Sequence, residues 1–226
     1  MQIKTFTEPE GYEAISKDVI ANLPSYIHKT PEEIKNIVIV GACNGLEIDT
    51  FIDLYKYVKI IAIEPSPKTF DFIKNKYAGN DKVFCFNVAC SDFSGVAKLY
   101  ELSMPGNGSL LKVSEKSVYN LKETEVIDVD VTILDTILHD IVIDLLMIDV
   151  QGSELSVLKG YSNINNALSL FLEVSTGQTN HKGYEGECNQ KELENYLTGH
   201  TLHSIGMDNE LNNGTGNAFW IRNDLI

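Results

Sequence analysis

The sequence predicts an α/β fold: a mostly parallel seven-stranded sheet, an antiparallel edge hairpin, and helices on both faces. Three observations carry this expectation. Short β-branched or apolar runs end at glycine, proline or acidic residues; helix-period patterns alternate with those runs; and the last two runs adjoin as a hairpin. At 226 residues the chain is about half as long again as a typical domain, which favours one core with added elements. The expected division is an N-terminal helical segment over 1–35 and a main domain over 36–226.

The elements follow in order. Residues 8–23 read as a leading helix, and residues 31–35 as a second short one that Thr30 can cap with Pro31 at its first position. Residues 37–40 (IVIV) form the kind of run that a strand covered on both faces needs, and Gly41 ends it. Beyond a loop over 41–45, Ile48, Phe51, Ile52 and Tyr55 fall on one helical face. A second strand over 59–63 closes on Glu64 and Pro65. Ser66 and Pro67 then open a helix whose Phe70, Ile73 and Tyr77 share a face, with Gly79 as its stop. Residues 83–86 make a third strand. Alternating stretches at 96–102 and 125–131 suggest edge strands around a loop at 105–109. A buried strand at 142–149 leads to a helix over 153–159 stopped by Gly160. A strand at 168–174, a helix at 189–197, and strands at 200–206 and 216–222 complete the chain.

Charge narrows the function. Eighteen basic residues against 32 acidic ones give a net charge of −14, and Arg222 is the single arginine. Such a surface repels nucleic-acid backbones and anionic lipid, so neither is an expected partner. The N-terminus, MQIKTFTEPEGYEA, has no basic-then-apolar leader pattern, which gives a cytoplasmic expectation. The longest apolar stretch, 141–150, is interrupted by Asp144 and too short to span a bilayer. Cys43, Cys85, Cys90 and Cys188 lack C-x-x-C spacing, so no zinc site is expected and reduced thiols are. The N-x-S/T matches at Asn107 and Asn213 read as turns.

In an open α/β sheet, ligands bind beyond the carboxyl ends of the strands. The informative positions are therefore 41–45, Glu64, 89–92, 149–152 and Glu173. The first loop is neither G-x-G-x-x-G nor a phosphate loop ending in G-K-S/T, so a dinucleotide or nucleotide triphosphate is unsupported. Glu64 can accept both hydroxyls of a ribose or cap the helix after Pro65. Asp92 can reach an adenine amino group or serve as a turn aspartate. Asp149 is either paired and functional or a turn residue bonding backbone.

Four segments together resemble the FkbM family of S-adenosylmethionine-dependent O-methyltransferases. They are 38–45 (VIVGACNG), 63–67 (IEPSP), 87–95 (NVACSDFSG) and 146–160 (LMIDVQGSELSVLKG), the last being the most specific. Residues 172–174 (LEV), 184–186 (YEG) and the elements after them keep the family's order. Cys43, Met147 and Gln151 depart from its usual small residue, lysine and glutamate. The resemblance implies a Rossmann-like class I methyltransferase. It places Gly41, Ala42, Asn44 and Gly45 beside the methionine part of S-adenosyl-L-methionine, Glu64 with Pro65 at the ribose, Ser91 and Asp92 near adenine, and Asp149 close to the reaction centre.

An acidic pocket suits the sulfonium cation of that cofactor. The reaction needs an aligned hydroxyl and a base for its proton. Asp149, Glu173 and His181 are the candidates, and a divalent metal on Asp149 and Glu173 stays open, though without dedicated ligand spacing. Tyr184 and Trp220 either stack on a sugar ring or pack. The resemblance implies a small-molecule or glycan acceptor, a sugar or nucleotide sugar for a surface glycan. A natural-product hydroxyl, a non-catalytic cofactor-binding scaffold and an NAD-binding oxidoreductase are the rivals, the last opposed by the missing G-x-G-x-x-G. A homo-oligomer stays open.

Overall fold

A computed structural model describes residues 3–6, 11–103, 106–115, 122–175, 183–207 and 214–226. The chain runs β1 (Lys4–Phe6), α1 (Gly11–Tyr26), β2 (Asn36–Val40), α2 (Leu46–Leu54), β3 (Lys59–Ile63), α3 (Pro67–Lys76) and β4 (Val83–Phe86). It continues through β5 (Ala89–Cys90), β6 (Gly95–Leu102), β7 (Glu123–Thr132), α4 (Leu134–Leu138), β8 (Leu145–Ile148) and α5 (Glu154–Lys159). It closes with β9 (Ser169–Ser175), α6 (Gln190–Tyr196), β10 (His200–Met207) and β11 (Thr215–Arg222).

The main sheet has the order β1-β10-β11-β9-β8-β2-β3-β4. Strands β4, β3, β2, β8 and β9 are parallel, and β11 is antiparallel to both β9 and β10. The mostly parallel sheet ending in an antiparallel hairpin is the expected fold class, with eight strands rather than seven. The extra strand is β1, which pairs in parallel with β10 from Lys4↔Ser204 to Phe6↔Gly206 and makes the hairpin internal on that side. The 1–35 stretch thus contributes a strand as well as a helix. Its second short helix is a single 3-10 turn, Pro31–Glu33. The Glu33 carboxylate accepts the Thr30 N–H at 2.8 Å, and the chain then straightens so that the Lys35 and Asn36 N–H groups reach Asp144 at 2.6 and 2.9 Å.

The second departure concerns β6 and β7. They do not edge the main sheet; they pair with each other, from Gly95↔Val131 to Leu102↔Glu123, and β7 pairs with β5 in a separate three-stranded sheet. Ala89, Leu99, Val129 and Val131 make a small core of their own beneath it. Alternation of apolar and polar residues identifies a half-buried strand but carries no information on its partner.

Successive residues of β2 face opposite ways, and the two faces bury two cores. Val38 and Val40 pack with Leu146, Ile148, Leu172 and the α5 residues Val157 and Leu158. Ile37 and Ile39 pack with Ile15, Val19 and Leu23 of α1, Ile48 and Phe51 of α2, and Ile73 of α3. Trp220 is 1% exposed in the first core, so it packs and offers no ring to a sugar. No described helix is long and apolar enough to cross a membrane.

Candidate active site

A cavity of about 590 Å³ opens beyond the carboxyl ends of β2, β3, β8 and β9. Its floor begins where β2 stops. Gly41 adopts φ +87°, and a Cβ there would lie 1.9 Å from the Asp149 carbonyl oxygen. Only glycine lets the first loop pass so close to the end of β8. The Gly41 and Ala42 N–H groups both donate to the Ile63 carbonyl, at 2.9 and 3.0 Å, tying the loop to the end of β3. Asn44 Oδ1 then accepts the Leu46 N–H at 3.1 Å, where α2 starts.

Glu64 follows β3. Its Oε2 accepts the Cys43 N–H and its Oε1 the Ser66 N–H, each at 2.9 Å, so the carboxylate both fixes the first loop and holds the start of α3. A carboxylate has about four acceptor sites, which leaves capacity for hydroxyl donors from the cavity. Burial pushes its pKa up to about 6, the two N–H donors oppose that rise, and Glu101 and Asp149 add to it by repulsion.

The acidic centre lies across from Glu64. Asp149 opens onto the cavity, while Gln151 and Tyr184 are buried beside it. Gln151 Nε2 donates to Asp149 Oδ1 at 2.6 Å and to Glu173 Oε2 at 2.9 Å. Surrounding protein raises the pKa of Asp149, and Gln151 and Glu173 oppose that rise as hydrogen-bond partners. Glu173 is held well above the usual carboxylate range by the same loss of solvent, with Asp149, Glu154 and Glu187 adding repulsion. Behind them, Glu154 Oε1 accepts the Val150 and Gly152 N–H groups at 3.2 and 3.0 Å, and burial raises that acid to about 7. The turn-bonding role open to Asp149 therefore falls to Glu154.

Two loops roof this centre. The Ser114 N–H donates to the Gly183 carbonyl and the Glu185 N–H to the Lys112 carbonyl, at 3.0 and 2.8 Å. Tyr184 stands between the loops, its hydroxyl 2.9 Å from both the Asn107 carbonyl and Gln151 Oε1. Ser109 Oγ donates to the Gln151 carbonyl at 2.8 Å.

Of the residues expected to form the site, Gly41, Asn44, Glu64, Pro65, Asp149 and Glu173 line one cavity. Ala42 and Gly45 belong to the same loop but lie behind its wall. The wall includes Val88, Ala89 and Cys90 and stops short of Ser91 and Asp92; Ser91 is buried and Asp92 exposed. His181 lies outside the described residues. Sequence reasoning missed Glu47, Glu101, Glu154 and Glu187, which also line the cavity. Glu154 had a local signal, three residues past Gln151 at the head of a helix; Glu101 and Glu187 come from distant segments and had none.

The lining decides what kind of ligand fits. It carries seven carboxylates, Glu47, Glu64, Glu101, Asp149, Glu154, Glu173 and Glu187, and no lysine, arginine or histidine among the described residues. Burial holds several of these acids above their ordinary pKa, and repulsion between neighbouring carboxylates adds to the rise.

Residues 40–201 match the family described as the methyltransferase FkbM domain. The chain belongs to the FkbM methyltransferase family. A curated relative, the methyltransferase sdnD of Sordaria araneosa, is 31% identical over 170 residues, covering 62% of each protein. The chain thus spans under two thirds of that relative's length. Among solved structures, a putative rRNA methylase from Clostridium thermocellum aligns over 98% of this chain and all of its own, with a TM-score of 0.53 and 11% identity. Aeropyrum pernix fibrillarin, solved with bound S-adenosyl-L-methionine, aligns over 91% of this chain and 74% of its own, with a TM-score of 0.50 and 11% identity. Likeness at that identity is likeness of fold, here the Rossmann-like methyltransferase fold.

The cofactor that goes with the FkbM methyltransferase family is S-adenosyl-L-methionine. The residues present fit it. The cofactor's sulfonium and ammonium charges match a cavity rich in carboxylates, and the Glu64 carboxylate stands at the end of β3, where the fold brings a ribose.

Proposed function

We propose that this FkbM methyltransferase methylates a hydroxyl group of an uncharged sugar, as a step in surface-glycan synthesis. The observation that carries the reading is the Asp149–Glu173 pair, two acids joined through one amide and facing a cavity whose described wall holds no cation. A diphosphate would meet seven carboxylates there, so the free or glycosidic sugar is favoured over the nucleotide sugar.

S-adenosyl-L-methionine supplies an electrophilic methyl group and leaves as the neutral thioether. Gly41 and Asn44, backed by Ala42 and Gly45, would bound its methionine part, Glu64 and Pro65 its ribose, and Val88, Ala89 and Cys90, just ahead of Ser91 and Asp92, its adenine. The acceptor oxygen forms the new bond to carbon as the carbon–sulfur bond breaks, and the hydroxyl proton passes to a carboxylate. Asp149 is the proposed base because it opens onto the cavity, with Glu173, whose carboxyl burial holds well above the usual range, beside it. The roof formed by 106–115 and 183–188 excludes water and holds the acceptor oxygen in line.

A hydroxylated natural product is the second reading. Ile20, Leu46, Met147 and Phe171 give part of the wall an apolar character that suits it. Incubation with the cofactor and a panel of free glycosides, nucleotide sugars and hydroxylated small molecules, read by mass gain of one methyl, tests both. Methylated glycosides are expected. Methylation confined to nucleotide sugars, or to amines added as controls, contradicts the proposal.

A further inference from the structure

The geometry points to Gln151 as a positioning residue that holds Asp149 and Glu173 in one orientation and favours their charged forms by donating to both. The inference rests on the proposed role of that pair as proton acceptor. Gln151 sits in the left-handed region, φ +58°, where a residue other than glycine is uncommon. That conformation turns its side chain back between the ends of β8 and β9. Its amide nitrogen then meets one oxygen of each acid, at 2.6 and 2.9 Å.

The amide is held at its other end too. An amide has a donor face and an acceptor face: Nε2 donates to the two acids, and Oε1 stands 2.9 Å from the Tyr184 hydroxyl, whose one proton is shared with the Asn107 carbonyl at the same distance. The Gln151 carbonyl is fixed separately by Ser109 Oγ. Tyr184 and Ser109 belong to the two roofing loops, so the roof and the Gln151 amide are held by the same two side chains. A glutamate at 151 would bring a further negative charge and, when ionised, no donor to either acid.

The groups facing the pair are Glu154 at the head of α5, with Cys188 Sγ at 3.4 Å from it, Glu187 and Tyr184 on the roofing loop, and Cys43, Glu47 and Glu64 from the first loop, α2 and the end of β3. Among the described residues, every charged member is an acid. The Gln151 amide is the only hydrogen-bond donor that touches both carboxyls among the described residues. Removing it disfavours the charged forms, because a carboxylate loses more than a neutral carboxyl does when an N–H donor is withdrawn.

The test needs neither acceptor nor cofactor. Side-chain carboxyl groups of aspartate and glutamate are carbon-13 labelled and titrated by NMR, with Asp149→Asn and Glu173→Gln supplying the assignments. In the wild-type chain the pair releases its protons in two well-separated steps. In Gln151→Met the lower midpoint rises by about one unit, a tenfold change in that equilibrium. Gln151→Asn keeps a residue that tolerates the left-handed turn but cannot span both acids, so it gives the same rise in a folded protein. Tyr184→Phe moves the midpoint the same way by less. Curves for both Gln151 variants that superimpose on wild type overturn the inference. S-adenosylhomocysteine titrated into the same samples reports separately on the methyltransferase site, so a failure of that reading is told apart from a failure of this one.

Discussion

Two aspartates five residues apart bracket β8, and the chain treats them in opposite ways. Asp144, before the strand, is 1% exposed; the Lys29 ammonium and the Lys35 and Asn36 N–H groups satisfy its carboxylate. Asp149, after the strand, opens onto the cavity and has one amide and another acid as partners. A carboxylate needed for folding is neutralised by the protein itself. One meant for a ligand is left for the ligand to neutralise, and the raised pKa values of its neighbours record the electrostatic cost.

The largest expected break in that comparison is Asp144→Ala, which strands the Lys29 ammonium and two N–H groups. It should lower unfolding stability by about 3–5 kcal/mol in denaturant titrations, while S-adenosylhomocysteine affinity of the folded fraction is unchanged. Asp149→Asn should do the reverse, leaving stability equal or slightly higher and stopping methyl transfer.

Next in size is Glu64→Ala. Hydrogen bonds to a charged group contribute about 1.5–3 kcal/mol, so S-adenosylhomocysteine affinity should fall about 10- to 100-fold by calorimetry. An unchanged affinity would remove Glu64 from the ribose site.

A third expectation concerns pH. Glu64 titrates at about 6 and Glu154 at about 7 in the folded chain, against about 4.3 when unfolded. Between those values the folded state binds more protons than the unfolded one, so these groups make stability fall as pH rises. The ligand-free protein should lose on the order of 4 kcal/mol between about pH 5 and 7.5, and bound S-adenosyl-L-methionine should flatten that slope. A stability that climbs over the same range contradicts the reading of an acidic cavity without counterions. The smallest effect is expected from Asp92→Asn. Asp92 is exposed beyond the cavity wall, so affinity should change by less than about twofold.

How far the sequence revealed this arrangement depends on the distance over which each signal acts. Strands β3 and β4 match their expected ranges residue for residue, because a β-branched run bounded by turn residues is a local signal. The partner of β7 was not legible, since pairing joins residues far apart in the chain. Strand β1 was hidden for another reason: three residues, with Lys4 and Thr5 exposed, leave no apolar pattern to read. In the site, Gly41, Glu64 and Asp149 could be found because each sits where a strand ends. The central place of Gln151 depends on a positive φ and on Tyr184 and Ser109 arriving from other loops, none of which composition or spacing encodes.

The central claim is that the carboxyl end of this sheet is a site for a cationic methyl donor. Isothermal titration of S-adenosyl-L-methionine, S-adenosylhomocysteine and NAD into the wild-type protein tests it most directly. The account predicts saturable binding of one S-adenosyl-L-methionine or S-adenosylhomocysteine per chain, weakened by Glu64→Ala, and no binding of NAD. Binding of NAD without either sulfur compound would contradict it.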